Sequence, residues 1–430
     1  VSSATVAATT GGRERGFWPI FRVASGNFLE MYDFMVFGYF ADAIGQAFFP
    51  AKSDVARLML TFMTFGAGFL MRPLGALVLG AYADRAGRKA GLLLTLGLMA
   101  VGVLTLAVTP GYATIGIAAP LIVLAGRLLQ GFSAGMELGG VSVYLSEIAP
   151  PGRKGFYVSW QSASQQVAVV AAAGIGLALS RQLGQAEMQR WGWRIPLLLG
   201  CLIAPLLLVM RRSMTETTAF QTQTRHPGLA EIARGLAAHW RVVGVGVMLV
   251  TMTTVSFYMI TTYTPTFGTK VLRLSASAAF IVTLCVGLSN LIWLPVMGAM
   301  SDRIGRKPLL YACTGLMLAS AYPAMAWLVS APSFGRMLAV ELWLSFLYAS
   351  YNGAMVVFLT EIIPVRLRAT GFSLAYSLAA ALFGGFSPAI ATGLIAITHN
   401  RAMPGAWLSA AAVAGLIGAV LAGKAEAGEA

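Results

Sequence analysis

The chain has 430 residues, of which 57% are hydrophobic and 11% charged, with a mean hydropathy of +0.75. A soluble domain carries about 25% charged residues, so this composition excludes a chain that folds mainly against water. The net charge of +14 does not mark a nucleic-acid binder, because the basic residues sit in short loops between apolar runs, with no contiguous basic face and no nucleic-acid motif.

Residues 1–16 are rich in Ala, Thr, Ser and Gly and are expected to be disordered. The apolar run that follows carries Glu30 and Asp33 and is too long for the core of a cleavable signal peptide. A spanning helix needs about 20 mostly apolar residues. Such runs are predicted at 20–48, 57–83, 90–109, 115–147, 156–180 and 193–211, which we number spans 1 to 6. A polar linker at 212–241 contains Arg212, Glu216, Arg225, His226, Pro227, Glu231 and Arg234. Spans 7 to 12 are predicted at 242–267, 275–300, 308–329, 333–361, 369–397 and 404–423, with a short tail at 424–430. The expected fold is therefore all-α, with twelve transmembrane helices in two six-helix halves, 17–211 and 242–423. Cys201, Cys285 and Cys313 lie inside apolar runs and read as small buried hydrophobes. The three histidines lack metal-ligand spacing, and neither a metal nor a cofactor is expected.

Counting Lys and Arg by side gives 19 on the face that carries both termini and 9 on the other, with Arg72 and Arg127 deep in spans. The positive-inside rule then predicts cytoplasmic termini, and an even number of spans, which puts both termini on one side, agrees with that.

A charged loop follows span 2 and recurs after span 8. Its copies are Gly80-x-x-x-Asp84-Arg85-x-Gly87-Arg88-Lys89 and Gly298-x-x-x-Asp302-Arg303-x-Gly305-Arg306-Lys307, 218 positions apart. Ser146-Glu147-Ile148-Ala149-Pro150 ends span 4, and Thr360-Glu361-Ile362-Ile363-Pro364 ends span 10, 214 positions later. Two motifs in one order at nearly one spacing indicate a duplicated six-helix unit. Asp84 is placed to meet Arg153 or the positive end of a neighbouring helix. Glu147 is placed to pair with Arg85 or Arg88, and Glu361 with the loop charges of its own half. Such pairs would latch the cytoplasmic side and break when it opens; the bland alternative is charge that only sets topology.

These loops resemble the signature of the major facilitator superfamily, and the resemblance covers residues 20–423. Within it, Ser25-Gly26-Asn27-Phe28-Leu29-Glu30, Arg72-Pro73-Leu74-Gly75, Gly126-Arg127-Leu128-Leu129-Gln130-Gly131-Phe132-Ser133 and Trp160-Gln161-Ser162 resemble the metabolite–proton symporters. Gly139 to Glu147, Trp160 to Gln166 and Tyr351 to Val356 are most similar to the citrate-carrying members of that family. The resemblance implies a secondary transporter rather than an enzyme. It would lie in a bacterial inner membrane, as a monomer, and take up citrate or tricarballylate with protons. Sodium as the co-ion stays open.

Ionisable groups inside spans cost a few kcal/mol or more unless paired, so they mark function. At ~1.5 Å per residue, Asp33, Arg72 and Arg127 each lie ~17–18 Å inside the membrane and can converge. Tyr32-Asp33 and Gly126-Arg127 resemble the coupling positions of related sugar–proton carriers. When Arg127 turns to a substrate, Asp33 loses its partner and takes a proton; a permanent structural pair is the alternative. Glu30 shares the helix face of Asp33 and can share that proton. Arg72 and Arg127 offer forks that match carboxylates, although Arg72 could simply brace spans 1 and 2. Glu137 reads equally as a gate acid, a second proton site or a helix–helix partner. Further candidate ligands are Tyr32, Gln161, Ser164 and Gln165 in the first half, and Tyr258, Thr262, Asn290, Tyr348 and Asn352 in the second. Each could equally serve interhelical bonding. Glu341 has no evident partner and stays unassigned.

A channel or receptor would show filter-like repeats or a large ligand domain, and an ATP-driven pump would carry G-x-x-x-x-G-K-[ST]; the sequence has neither. The competing carrier readings are uptake of another organic acid, such as a dicarboxylate, or of a zwitterionic osmolyte.

Overall fold

The computed structural model describes residues 28–135, 137–212, 234, 238–364 and 368–428, and at some helical positions, among them Asp84, Arg85, Arg88 and Glu137, the backbone alone. Among the described residues there is no strand. The spans are Phe28–Tyr39 with Ala41–Phe48, Asp54–Leu70 with Arg72–Ala86, Arg88–Val108, Ala118–Ala134 with Glu137–Ile148, Lys154–Gln182 and Arg194–Arg212 in the first half. The second half has Trp240–Val271, Ala276–Ile304, Arg306–Ser330, Phe334–Ile362, Arg368–Ala379 continuing to Thr398, and Met403–Gly428. These are the twelve predicted spans. The expected disordered segment 1–16 and nearly all of the linker 212–241 lie outside the described residues.

Among the described residues, eight of the spans are long and apolar enough to cross a membrane on length and composition, and Leu93–Val108 and Ala118–Ala134 are shorter apolar helices. The interruptions have local causes. Span 2 restarts at Arg72-Pro73 because proline has no N–H to continue the ladder; Gly75 N–H then donates to the Met71 carbonyl at 2.9 Å. Span 7 contains π turns at Tyr258–Tyr263 and Phe267–Val271, and span 11 another at Ala380–Gly384. Single π turns inside helices often mark functional positions. They also stretch span 7 past its predicted end. Span 12 runs through Gly428, beyond the predicted boundary at 423.

The duplication is visible in the backbone. Gly87 and Gly305 occupy matching places in the two loop motifs, with φ of 101° and 91°. That left-handed region suits only glycine without strain, which explains the fixed glycine in both copies.

Glycines also set the helix spacing. A Cβ on Gly155 of span 5 would stand 2.2 Å from the Gly298 carbonyl oxygen of span 8, and a Cβ on Gly287 2.9 Å from Val170. Spans 2 and 4 are closer still: a Cβ on Gly131 would fall 1.6 Å from the Gly68 carbonyl oxygen, and one on Gly75 1.8 Å from that of Phe132. Small residues of this kind let membrane helices meet backbone to backbone. Gly131→Ala must force spans 2 and 4 apart; a loss of about 1–3 kcal/mol is expected, seen as a lower unfolding temperature of the purified protein in detergent.

Candidate functional site

Glu30, Asp33, Phe34 and Phe37 recur at helical spacing along span 1 and are all buried. This face meets the breaks of spans 2 and 4. A Cβ on Gly68 would lie 2.8 Å from the Arg127 carbonyl oxygen, and one on Gly135 2.2 Å from that of Arg72. Each arginine backbone thus rests on a glycine of the other helix, and the two guanidiniums emerge side by side beneath span 1.

They meet different acids. Arg72 Nη2 donates to Glu30 Oε1 at 2.8 Å. Arg127 Nη1 donates to Asp33 Oδ2 at 2.9 Å, with both side chains 0% exposed, and to Gln130 Oε1 at 2.6 Å. Phenylalanines enclose the pairs. Phe34 lies between the guanidiniums, its ring centre 4.9 Å from Arg72 Cζ and 4.6 Å from Arg127 Cζ. Phe69 adds a face to Arg72 at 4.5 Å, and Phe37 one to Arg127 at 4.5 Å. A desolvated cation on an aromatic face gains roughly 2 kcal/mol, which offsets part of the several kcal/mol that burying each ion costs. Valence is left over: Asp33 Oδ1 and Arg127 Nε and Nη2 are buried without a hydrogen-bond partner. Buried polar atoms are normally satisfied, so this arrangement holds hydrogen-bonding capacity in reserve.

The second half touches this cluster through Tyr258, on the π turn of span 7, whose ring packs edge-on against Phe69 at 5.2 Å and Phe65 at 5.9 Å. Thr262, one turn on, donates to Met35 Sδ at 3.6 Å, where Gly38 lets spans 1 and 7 close together. Tyr348 stacks near Phe257 and accepts from Asn352 Nδ2 at 3.4 Å. Gln161 accepts from Ser162 and Gln165 is buried; Gln161 Nε2 and Asn352 Oδ1 have no partner. The remaining candidates are bound elsewhere. Tyr32 donates to the Pro196 carbonyl at 3.0 Å, and Ser164 to that of Gln161 at 2.8 Å. Asn290 bridges three spans, donating to Gln166 Oε1 at 3.2 Å and accepting from Ser345 at 2.8 Å.

Sequence reasoning did not single out the phenylalanine shell, Gln130 as a ligand of Arg127, or Gln166. The usable signal was spacing: Phe34 and Phe37 flank the acids, and Phe65 and Phe69 are one turn apart just ahead of Arg72. Among the described residues no cluster of His, Cys, Asp and Glu is suited to a metal.

Contacts between the halves close both ends. At the loop-motif end, Asp302 accepts from the backbone N–H groups of Gly155 at 2.7 Å and Phe156 at 3.0 Å, in the first turn of span 5. A carboxylate there meets the positive end of the helix dipole. Arg306 holds Asp302 at 2.8 Å and Glu361 at 3.3 Å, and donates to Ser301 at 2.7 Å. Glu147, Arg153 and Arg303 are exposed. The matching side chains of the first half, Asp84, Arg85 and Arg88, lie outside the described residues, as does that of Glu137. At the opposite end Lys270 of span 7 pairs with Asp42 of span 1 at 2.7 Å. Asp302→Asn removes a charge-assisted cap of about 1.5–3 kcal/mol. Amide exchange at Gly155 and Phe156 is expected to quicken by at least ~10-fold, as read by hydrogen-exchange mass spectrometry.

Comparison with known proteins agrees with this architecture. The family model described as Major Facilitator Superfamily matches residues 23–388. The chain is 58% identical over 400 residues to a citrate-proton symporter of Salmonella typhi, covering 93% of this chain and 92% of that protein. It is 57% identical over 410 residues to a citrate-proton symporter of Klebsiella pneumoniae, covering 95% and 92%. The partially occluded, inward-open xylose transporter XylE of Escherichia coli superposes with a TM-score of 0.74 at 19% identity, covering 94% of this chain and 96% of that one; this likeness speaks to the fold alone. With a family match over most of its length and relatives above half identity, the chain belongs to the major facilitator superfamily.

Proposed function

We propose that the chain imports citrate, or a closely related tricarboxylate, together with protons by alternating access across a bacterial inner membrane, with both termini in the cytoplasm. The observation that carries this reading is the buried Asp33–Arg127 pair, whose arginine keeps an unbonded Nε and Nη2 edge. That edge matches two oxygens of a carboxylate. The identity to citrate–proton symporters supports the substrate class. In the closed state each guanidinium is neutralised by its own acid. When a tricarboxylate takes the fork of Arg127, Asp33 is left without its cation and binds a proton, so anion and proton load together. Arg72, released in part from Glu30, supplies the second cation. Tyr258, Gln161 and Tyr348 supply neutral donors, and Asn352 Nδ2 holds the Tyr348 hydroxyl. The Asp302–span 5 contact and the Arg306–Glu361 pair form the cytoplasmic gate, with the Asp84 loop as its counterpart in the first half. Asn290 holds spans 5, 8 and 10 together instead of touching substrate.

A thermal-shift series on the purified protein tests the substrate class. A ligand at 100 times its Kd stabilises by about 2.7 kcal/mol, so citrate and tricarballylate are expected to raise the unfolding temperature where succinate raises it less and betaine not at all. Stabilisation by betaine alone would overturn the anion reading.

A further inference from the structure

Span 11 meets the central cluster at its π turn, Ala380–Gly384. A Cβ on Gly384 would stand 3.1 Å from Tyr258 Cε2, and one on Gly385 2.6 Å from Phe69 Cδ2. Phe69 is the ring that covers Arg72 at 4.5 Å. The π turn thus rests on the lining of the Arg72–Glu30 pair, and such turns often mark functional positions.

Tyr376 lies about one turn before it and is 8% exposed. Its ring stacks on that of Phe372, with centres 5.9 Å apart and planes 16° apart. The stack fixes the ring, and the hydroxyl stands close enough to Arg72 and Glu30 to interact with both charges. Among the described residues that hydroxyl has no hydrogen-bond partner. Tyr348 of span 10 interacts in turn with Tyr376 and with Tyr258. Its hydroxyl accepts from Asn352 Nδ2 at 3.4 Å, which leaves its own proton to give. Spans 10 and 11 therefore bring together two tyrosine hydroxyls, each with a proton to donate, and the one on span 11 lies beside Arg72.

The charges of the site are too few for a tricarboxylate. Among the described residues Arg72 and Arg127 are the only Lys or Arg side chains that are buried. Two guanidinium forks meet two carboxylates. A third carboxylate on the same molecule must be met by neutral donors. A carboxylate has two oxygens, each able to accept from a hydroxyl, and a tyrosine is a rigid donor that loses little conformational entropy when it binds. Once Arg72 holds one carboxylate, its neighbour on the same short carbon chain comes within reach of Tyr376.

We propose that Tyr376 and Tyr348 clamp the third carboxylate of a tricarboxylate substrate, and that this clamp sets the preference for three carboxylates over two. Arg127 and Arg72 serve any acid with two carboxylates. The tyrosines are engaged only when a third is present. A site built to hydrogen-bond a substrate group discriminates against the analogue that lacks it.

The proposal rests on the reading of the chain as a tricarboxylate symporter, and the test separates the two. Dissociation constants for citrate, tricarballylate and succinate are measured by calorimetric titration of the purified full-length protein. Tyr376→Phe keeps the ring on Phe372 and removes the hydroxyl alone. Loss of a hydrogen bond to a charged group weakens binding by roughly 10- to 100-fold. Citrate and tricarballylate are expected to weaken by that factor in Tyr376→Phe, and succinate to keep its wild-type affinity. Should wild type bind neither tricarboxylate, the functional reading fails. Where wild type binds them, an unchanged citrate affinity in Tyr376→Phe overturns the clamp only, and so does an equal loss for citrate and succinate, which a structural role would give. If Tyr376→Phe is not recovered folded, Tyr348→Phe removes the other hydroxyl of the clamp and decides by the same comparison.

Discussion

Asp33→Asn is expected to abolish proton-driven accumulation of citrate while citrate–citrate exchange continues. Asparagine keeps the size of the side chain and a carbonyl acceptor for Arg127 Nη1, so the buried cluster can still assemble. It cannot ionise. The site is then fixed in the form that the proton normally produces, with Arg127 available to substrate at all times. A carrier in that form can cross loaded in both directions, which is exchange, but cannot return empty to complete net uptake. In vesicles with a pH gradient, alkaline inside, the citrate ratio is expected to fall to that of protein-free vesicles, while counterflow of labelled citrate stays within a few-fold of wild type. Asp33 has no exposed surface, so a change in ion attraction at the mouth of the protein would not account for this split.

Arg127→Gln is expected to remove both exchange and uptake. Truncating one member of a buried charge pair costs roughly 2–5 kcal/mol, and the lower figure already means about a 30-fold loss of citrate affinity. It also leaves Asp33 buried with no cation, a loss of stability of about 3–5 kcal/mol. The double variant Asp33→Asn/Arg127→Gln removes both charges together and is expected to recover most of that stability, measured as unfolding temperature, with no recovery of transport. Arg127→Lys separates charge from shape. Lysine is a point cation without the planar fork, so it is expected to restore folding through Asp33 and to leave exchange far below wild type. Equal transport by Arg127→Lys and wild type would mean that charge alone, and not two-pronged binding, serves the site.

The spans, the duplication and the four buried charges were legible in the sequence for one reason: in an apolar chain every charge stands out. The partners were less legible. Glu30 shares the helix face of Asp33, but its ion-pair partner is Arg72 of span 2. One turn along span 1 is enough to face a different helix, and sequence spacing carries no information about which helix that is. The phenylalanines around the guanidiniums were hard to single out because an apolar side chain in an apolar span gives little contrast, and only their spacing from the charged residues marks them. Asn290 shows the converse. An amide inside a span can serve a ligand or a neighbour, and only the positions of Gln166 and Ser345 showed that it joins helices. The loop motif was read as a latch, and in the second half Asp302 reaches the first turn of span 5 across the two halves. The break in span 2 places Arg72 and had a clear local signal in Pro73, whereas Arg127 lies within the continuous helix Ala118–Ala134.

The central claim is that citrate and protons enter together through Asp33 and Arg127. It is tested most directly by adding citrate to lightly buffered vesicles that contain the purified protein and recording the pH outside. Wild type is expected to turn the medium alkaline in proportion to the citrate taken up, with no requirement for sodium, and Asp33→Asn to give no pH change. Citrate uptake by wild type with no alkalinisation, or alkalinisation that survives in Asp33→Asn, would contradict the account.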